Sequence, residues 1–107
     1  MKIRTDILYT TPTDFFDLIG HAVMKLSPDA ALGVCKRATD LNLVIIRIEG
    51  GIWHNPGFEA RIDCIWDGAD LLGSHINIAA NNINAFDFIH EERTEHNAFI
   101  LSISKTK

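Results

Sequence analysis

Apolar positions recur at intervals of three to four residues in some stretches of this chain and at every second residue in others, so both helices and strands are expected. Ile3, Thr5, Ile7 and Tyr9 alternate weakly with Arg4, Asp6 and Leu8, which predicts a short edge strand. Thr11-Pro12-Thr13-Asp14 then reads as a helix start, with Thr11 as N-cap, Pro12 at the first helical position and Asp14 at N3. Phe15, Phe16, Leu18 and Ile19 supply apolar surface before Gly20, the expected stop. Ser27-Pro28-Asp29 repeats the cap logic for a second helix, in which Ala30, Val34 and Ala38 share a line flanked by Ala31 and Cys35. Lys36, Arg37 and Asp40 fall on its other side, and the small inner residues let it lie close to a sheet.

Leu43 to Ile48 is β-branched and nearly all apolar, predicting a central strand covered on both faces for most of its length. Phe58, Ala60, Ile62, Cys64 and Trp66 alternate with Glu59, Arg61, Asp63, Ile65 and Asp67, which predicts a half-buried strand with an acidic outer row. Asp67-Gly68 signals a turn, and His75 to Ile78 suits strand or loop equally. Asn81 or Asn82 is positioned to cap a helix bearing Ile83, Phe86 and Ile89 at helical spacing, with Glu91, Glu92, Arg93 and Glu95 ending it in solvent. Phe99, Leu101 and Ile103 predict a last strand. The fold class expected is α+β: a mainly antiparallel sheet of three to four strands with two to three helices packed on one face.

Length makes this a single domain, residues 1–107, with a core that needs no metal or disulfide staple. A content of 47% apolar and 22% charged residues excludes disorder. No apolar run reaches the ~18 to 20 residues that span a bilayer, and no signal-peptide core is present, so a cytoplasmic location is expected. Cys35 and Cys64 read as reduced, buried and inert, and the histidines show no metal-ligand spacing, so neither metal nor cofactor is expected. Between Ala38 and Ser104 ten acidic side chains face three arginines. That sign disfavours direct nucleic-acid binding and favours a basic protein partner, although an ordinary acidic surface has the same composition.

The segment Gly50-Gly51-Ile52-Trp53-His54-Asn55-Pro56-Gly57-Phe58 stands out between two strand patterns. Its glycines and proline read as a rigid loop in which Gly50 and Gly51 supply special backbone angles. Trp53 beside His54 and Asn55 suits recognition, and equally suits an indole folded back to cap the sheet.

Those nine residues, together with Met24 to Ala31, Val34-Cys35, Asn81-Asn82 and Ala98-Phe99-Ile100, resemble the immunity proteins of the colicin E-five type. The resemblance runs from about Met24 to the C-terminus, with Asp67 to Ala80 matching poorly and residues 1–23 an N-terminal extension beyond it. It implies a non-enzymatic inhibitor that binds, one to one, the C-terminal ribonuclease domain of a secreted bacterial toxin and covers its RNA-binding cleft. The toxin implied cleaves transfer RNA in the anticodon loop and arrives by a colicin or by contact-dependent growth inhibition.

A cleft built for an anticodon loop presents cations to phosphates and flat surfaces to unstacked bases. Glu49, Glu59, Asp63, Asp67 and Asp70 are the expected carboxylate contacts and Trp53, Asn55 and Trp66 the base-like surface, with His54 a further toxin-binding residue. Two other readings remain at this point. An acidic interaction or regulatory module fits the same composition, and a small hydrolase built on His54 with Asp63, or Cys35 with a histidine, lacks any supporting motif spacing.

Overall fold

The β-branched run beginning at Leu43 continues through the glycine pair to form β1 (Leu43–Trp53), the middle strand of a three-stranded antiparallel sheet. Its neighbours are β2 (Phe58–Asp67) on one side and β3 (Ala98–Lys105) on the other. Among the described residues three helices accompany the sheet: α1 (Pro12–Asp17), α2 (Pro28–Asp40) and α3 (Ile78–Glu92). The computed structural model describes residues 2–68 and 76–105; Asp70, Gly73, Ser74 and His75 lie outside them. The α+β architecture is as the hydrophobic pattern predicts, with three strands and three helices among the described residues.

Thr11 and Ser27 cap α1 and α2 as expected, Ser27 Oγ accepting from the Ala30 amide at 3.2 Å. Such caps are worth about 1 kcal/mol each. Helix α1 stops at Asp17, ahead of Gly20, because Ile19 already adopts a φ of 56°. On α2 the predicted small-residue line is fully buried, and it packs on α3 and on the sheet. Ile45, Ile48, Phe99 and Leu101 from the sheet meet Val34, Cys35, Ala85 and Ile89 from the helices in one core.

Four expectations need correction. Residues 3–9 form no strand; Tyr9 makes a single parallel bridge to Leu26, which itself bridges to Phe99. The N-terminal segment instead lines the outer edge of β3, where the Ala22 amide donates to the Leu101 carbonyl at 2.9 Å and Ile103 N–H to His21 Nδ1 at 2.8 Å. Phe15 and Tyr9 join the core, so the residues ahead of Met24 are packed into the fold.

Second, Gly50 and Gly51 lie inside β1, and among the described glycines only Gly57 has a positive φ, 118°. The pair supplies room instead of special angles. A β-carbon on Gly50 would run into Cys64 Sγ, and one on Gly51 into the Glu59 carbonyl.

Third, the alternation predicted for β2 is broken. Ala60 pairs with Gly51 and Ile65 with Glu49, so Arg61, Ile62, Asp63 and Cys64 stand opposite Gly50 alone. This wide bulge turns Ile62 out, 87% exposed, while Cys64 is fully buried. Ala60 is exposed as well, so no continuous apolar row faces inward.

Fourth, α3 starts one turn early, with Asn77 Oδ1 accepting from the Ala80 amide at 3.0 Å. Asn82 is buried within the helix and does the work of a missing strand. Its Oδ1 accepts from Ile45 N–H at 3.0 Å, and its Nδ2 donates to the Leu43 carbonyl at 2.9 Å and to Thr39 Oγ1 at 3.0 Å. Asn81 adds a bond to the Ile45 carbonyl at 2.8 Å. On this side of β1 the pairing with β2 ends at Arg47, so two side-chain amides satisfy backbone groups that would otherwise be orphaned. Ile83, expected on the inner face, is exposed.

Candidate partner-binding face

Only His54 to Gly57 separate β1 from β2, closed by the His54 amide donating to the Gly57 carbonyl at 2.8 Å. Asn55 sits at the turn with a φ of 54°, and the Asn55–Pro56 peptide is cis. His54, Asn55, Pro56 and Gly57 are all exposed. His54 Nε2–H donates to Glu59 Oε1 at 2.8 Å, while Arg61 holds the other carboxylate oxygen at 2.9 Å. These partners, His54 first and Arg61 second, keep the Glu59 carboxyl below its ordinary value.

A lowered carboxyl pKa stabilises the fold above the unfolded glutamate value, about 4.3, and that contribution disappears as pH falls through the lowered folded value. Denaturant unfolding measured across acid pH is therefore expected to show wild type losing stability relative to Glu59→Gln in that window. Parallel pH profiles for the two chains would reject the linkage.

Alternation along β1 puts Arg47, Glu49, Gly51 and Trp53 on one face, next to their partners Asp67, Ile65, Ala60 and Phe58. The helices cover the other face, where Ile48 and Gly50 point. On the open face Arg47 bonds Asp67 at 2.6 Å and lies 3.9 Å from Glu49. Trp53 is half-buried at the end of the strand, and its backbone N–H donates to Asn97 Oδ1 at 2.7 Å. Asp63 projects from the bulge, exposed and without an ion pair among the described residues. The structure thus places Glu49, Asp67 and Trp53 on one face, Trp53 about 13 Å along the strand from Glu49, with His54, Asn55 and Glu59 at the hairpin end and Asp63 in the bulge. Trp66 pairs with Ile48 and packs against the core, on the side away from Trp53. Asp70 lies outside the described residues.

Both cysteines are free and buried. Burial pushes each thiol up to about 12, helped at Cys64 by the neighbouring Glu92 carboxylate. Glu92 is not simply the solvated end of α3: with Cys64 and His96 it forms a tight group whose ligand-type atoms lie within 4.8 Å of one another. Glu92 at the end of α3 and His96 in the turn before β3 are four residues apart, but no local spacing joins Cys64 to them, because the bulge in β2 delivers the thiol. Among the described residues no helix is long and apolar enough to cross a membrane.

A small α+β protein with an open, charged sheet face and an exposed hairpin has the form of a protein-binding domain. The Colicin-E5 Imm protein family matches residues 24–104, and the chain belongs to that family. It is an immunity protein, of a class that binds and neutralises toxins. The chain is 50% identical over 102 residues to "Immunity protein CdiI" of Burkholderia pseudomallei, covering 95% of this chain and 94% of that one. It is 36% identical over 81 residues to "Colicin-E5 immunity protein" of Escherichia coli, covering 75% of this chain and 98% of the relative. The first alignment is too long to be confined to residues 24–107, so that relative shares part of the N-terminal segment.

Proposed function

We propose that this chain neutralises a ribonuclease toxin that cuts transfer RNA at the anticodon loop, by laying its open sheet face and hairpin end into the toxin's RNA-binding cleft. The complex is one to one, forms in the cytoplasm with the toxin's C-terminal domain, and involves no direct contact between this chain and nucleic acid. The observation that carries the reading is that Trp53, Glu49 and Asp67 share the face the helices leave uncovered, with Asp63 in the adjoining bulge. An indole in place of an unstacked base and carboxylates in place of phosphates satisfy what such a cleft offers its substrate.

Glu49, Glu59 and Asp67 already have cationic partners within the chain, so their gain on meeting a basic cleft is reduced. Asp63 has none among the described residues and is the carboxylate best placed to take a toxin cation. Fuller coverage and higher identity to the CdiI relative favour a toxin delivered by contact-dependent growth inhibition over a colicin. The test is transfer RNA cleavage by a candidate toxin domain, followed on a gel. An equimolar amount of this chain is expected to abolish it, and an anticodon stem-loop is expected to compete with the chain for the toxin. Undiminished cleavage across cognate candidates, or simultaneous binding of stem-loop and inhibitor, would overturn the reading.

A further inference from the structure

Cys64 from the β2 bulge, Glu92 from the end of α3 and His96 from the turn before β3 converge on one point beneath the sheet. Cys64 is fully buried, His96 is 7% exposed, and Glu92 is half-buried, leaving a route to solvent along its carboxylate. His96 Nδ1 lies 3.2 Å from Glu92 Oε1, yet it is a buried nitrogen without an aligned hydrogen-bond partner. Buried polar atoms are nearly always satisfied, so an orphaned imidazole nitrogen beside a thiol and a carboxylate calls for a ligand.

We propose that Cys64 Sγ, His96 Nδ1 and Glu92 together bind one divalent transition metal ion, with zinc the best match. Sulfur, imidazole nitrogen and carboxylate oxygen form a borderline-soft set that suits zinc and excludes magnesium and calcium, which take oxygen alone. Tetrahedral zinc bonds of these types hold their ligand atoms about 3.3 to 3.8 Å apart. The imidazole and carboxylate atoms, 3.2 Å apart, are within about 0.1 Å of that range, and the Cys64 sulfur, no more than 4.8 Å from either, has only to close onto them to complete the group. A water on the Glu92 side fills the fourth position. On binding, the thiol gives its proton to solvent and becomes the thiolate ligand, so affinity falls as pH is lowered.

The same three groups resemble a nucleophilic thiol with its base, but a fully buried sulfur leaves no approach for a substrate. Metal binding needs only the opening beside Glu92. It would fasten the bulge that bears Asp63 to the end of α3, next to Asn97, which holds the Trp53 amide. The site stands on its own geometry and is independent of the toxin's identity.

The full-length chain, stripped with a chelator and then titrated with cobalt(II) as a spectroscopic substitute and with zinc against a chromophoric chelator, provides the test. One equivalent per chain is expected, with a near-ultraviolet thiolate-to-cobalt charge-transfer band and a thermal midpoint that rises with zinc concentration. Cys64→Ser should abolish the band. Glu92→Gln, at a half-buried position compatible with folding, should weaken zinc binding at least about tenfold, whereas His54→Gln at the hairpin should leave it unchanged. No band in the wild-type chain overturns the proposal, as does a band and affinity undiminished in both Cys64→Ser and Glu92→Gln.

Discussion

Replacing Trp53 by alanine should weaken binding to the cognate toxin by about 2 to 4 kcal/mol, roughly 30- to 900-fold in Kd. The indole is the largest flat surface on the open face, half-buried against its own sheet and therefore held ready without a large ordering cost. Its backbone N–H bonds to Asn97 through the main chain, and that tie survives removal of the side chain. Thermal unfolding of the alanine variant should accordingly stay cooperative. Asp63→Ala should also weaken the complex, because among the described residues this carboxylate has no ion-pair partner to compete with the toxin. Calorimetric titration with the toxin domain checks both, and unchanged affinity in the two variants would remove this face from consideration.

Asn82→Ala should lower the unfolding free energy by about 3 kcal/mol. The truncation strands the Ile45 amide and the Leu43 carbonyl at a position that is 2% exposed, and it also frees Thr39 from its link to α3. Each abandoned buried group costs about 1 to 3 kcal/mol, and a small cavity adds to the loss. Asn82→Asp restores an acceptor for Ile45 but sets a carboxylate against the Leu43 carbonyl, so it should rescue little. Urea denaturation distinguishes the outcomes, and a loss under about 1 kcal/mol in the alanine variant would show that β1 does not depend on this amide.

Much of the architecture was legible from local rules, and the failures have specific causes. Thr11 and Ser27 were readable as caps because a hydroxyl followed by proline has few other uses. Leu43 to Ile48 was readable as the central strand because no polar position interrupts its first four residues. The Asn81-Asn82 pair looks identical whether it caps a helix or bonds to a strand some 36 residues away, and only tertiary structure decides between the two. In β2 the alternation from Phe58 to Trp66 is regular in sequence, yet Gly50 offers one ladder position to four residues, so Phe58, Ala60 and Ile62 of the apparent inner row face outward and only Cys64 and Trp66 face the core. Part of the candidate face was recoverable for the opposite reason: Trp53, Glu49 and Asp67 follow from β1 periodicity and a short turn. Trp66 was grouped with Trp53 by composition, and strand parity separates them. In the Cys64, Glu92 and His96 group only the four-residue spacing of Glu92 and His96 was visible, since the approach of Cys64 depends on the bulge.

That bulge and the N-terminal segment also settle how the sheet ends. An open sheet invites another chain to lengthen it, strand upon strand, and so to polymerise. Here the rim of β3 is already occupied by residues near His21 and Leu26, while the rim of β2 is kinked and studded with Glu59, Arg61 and Asp63. Among the described residues, neither rim offers a straight, unoccupied edge on which a second copy of the chain could add a strand.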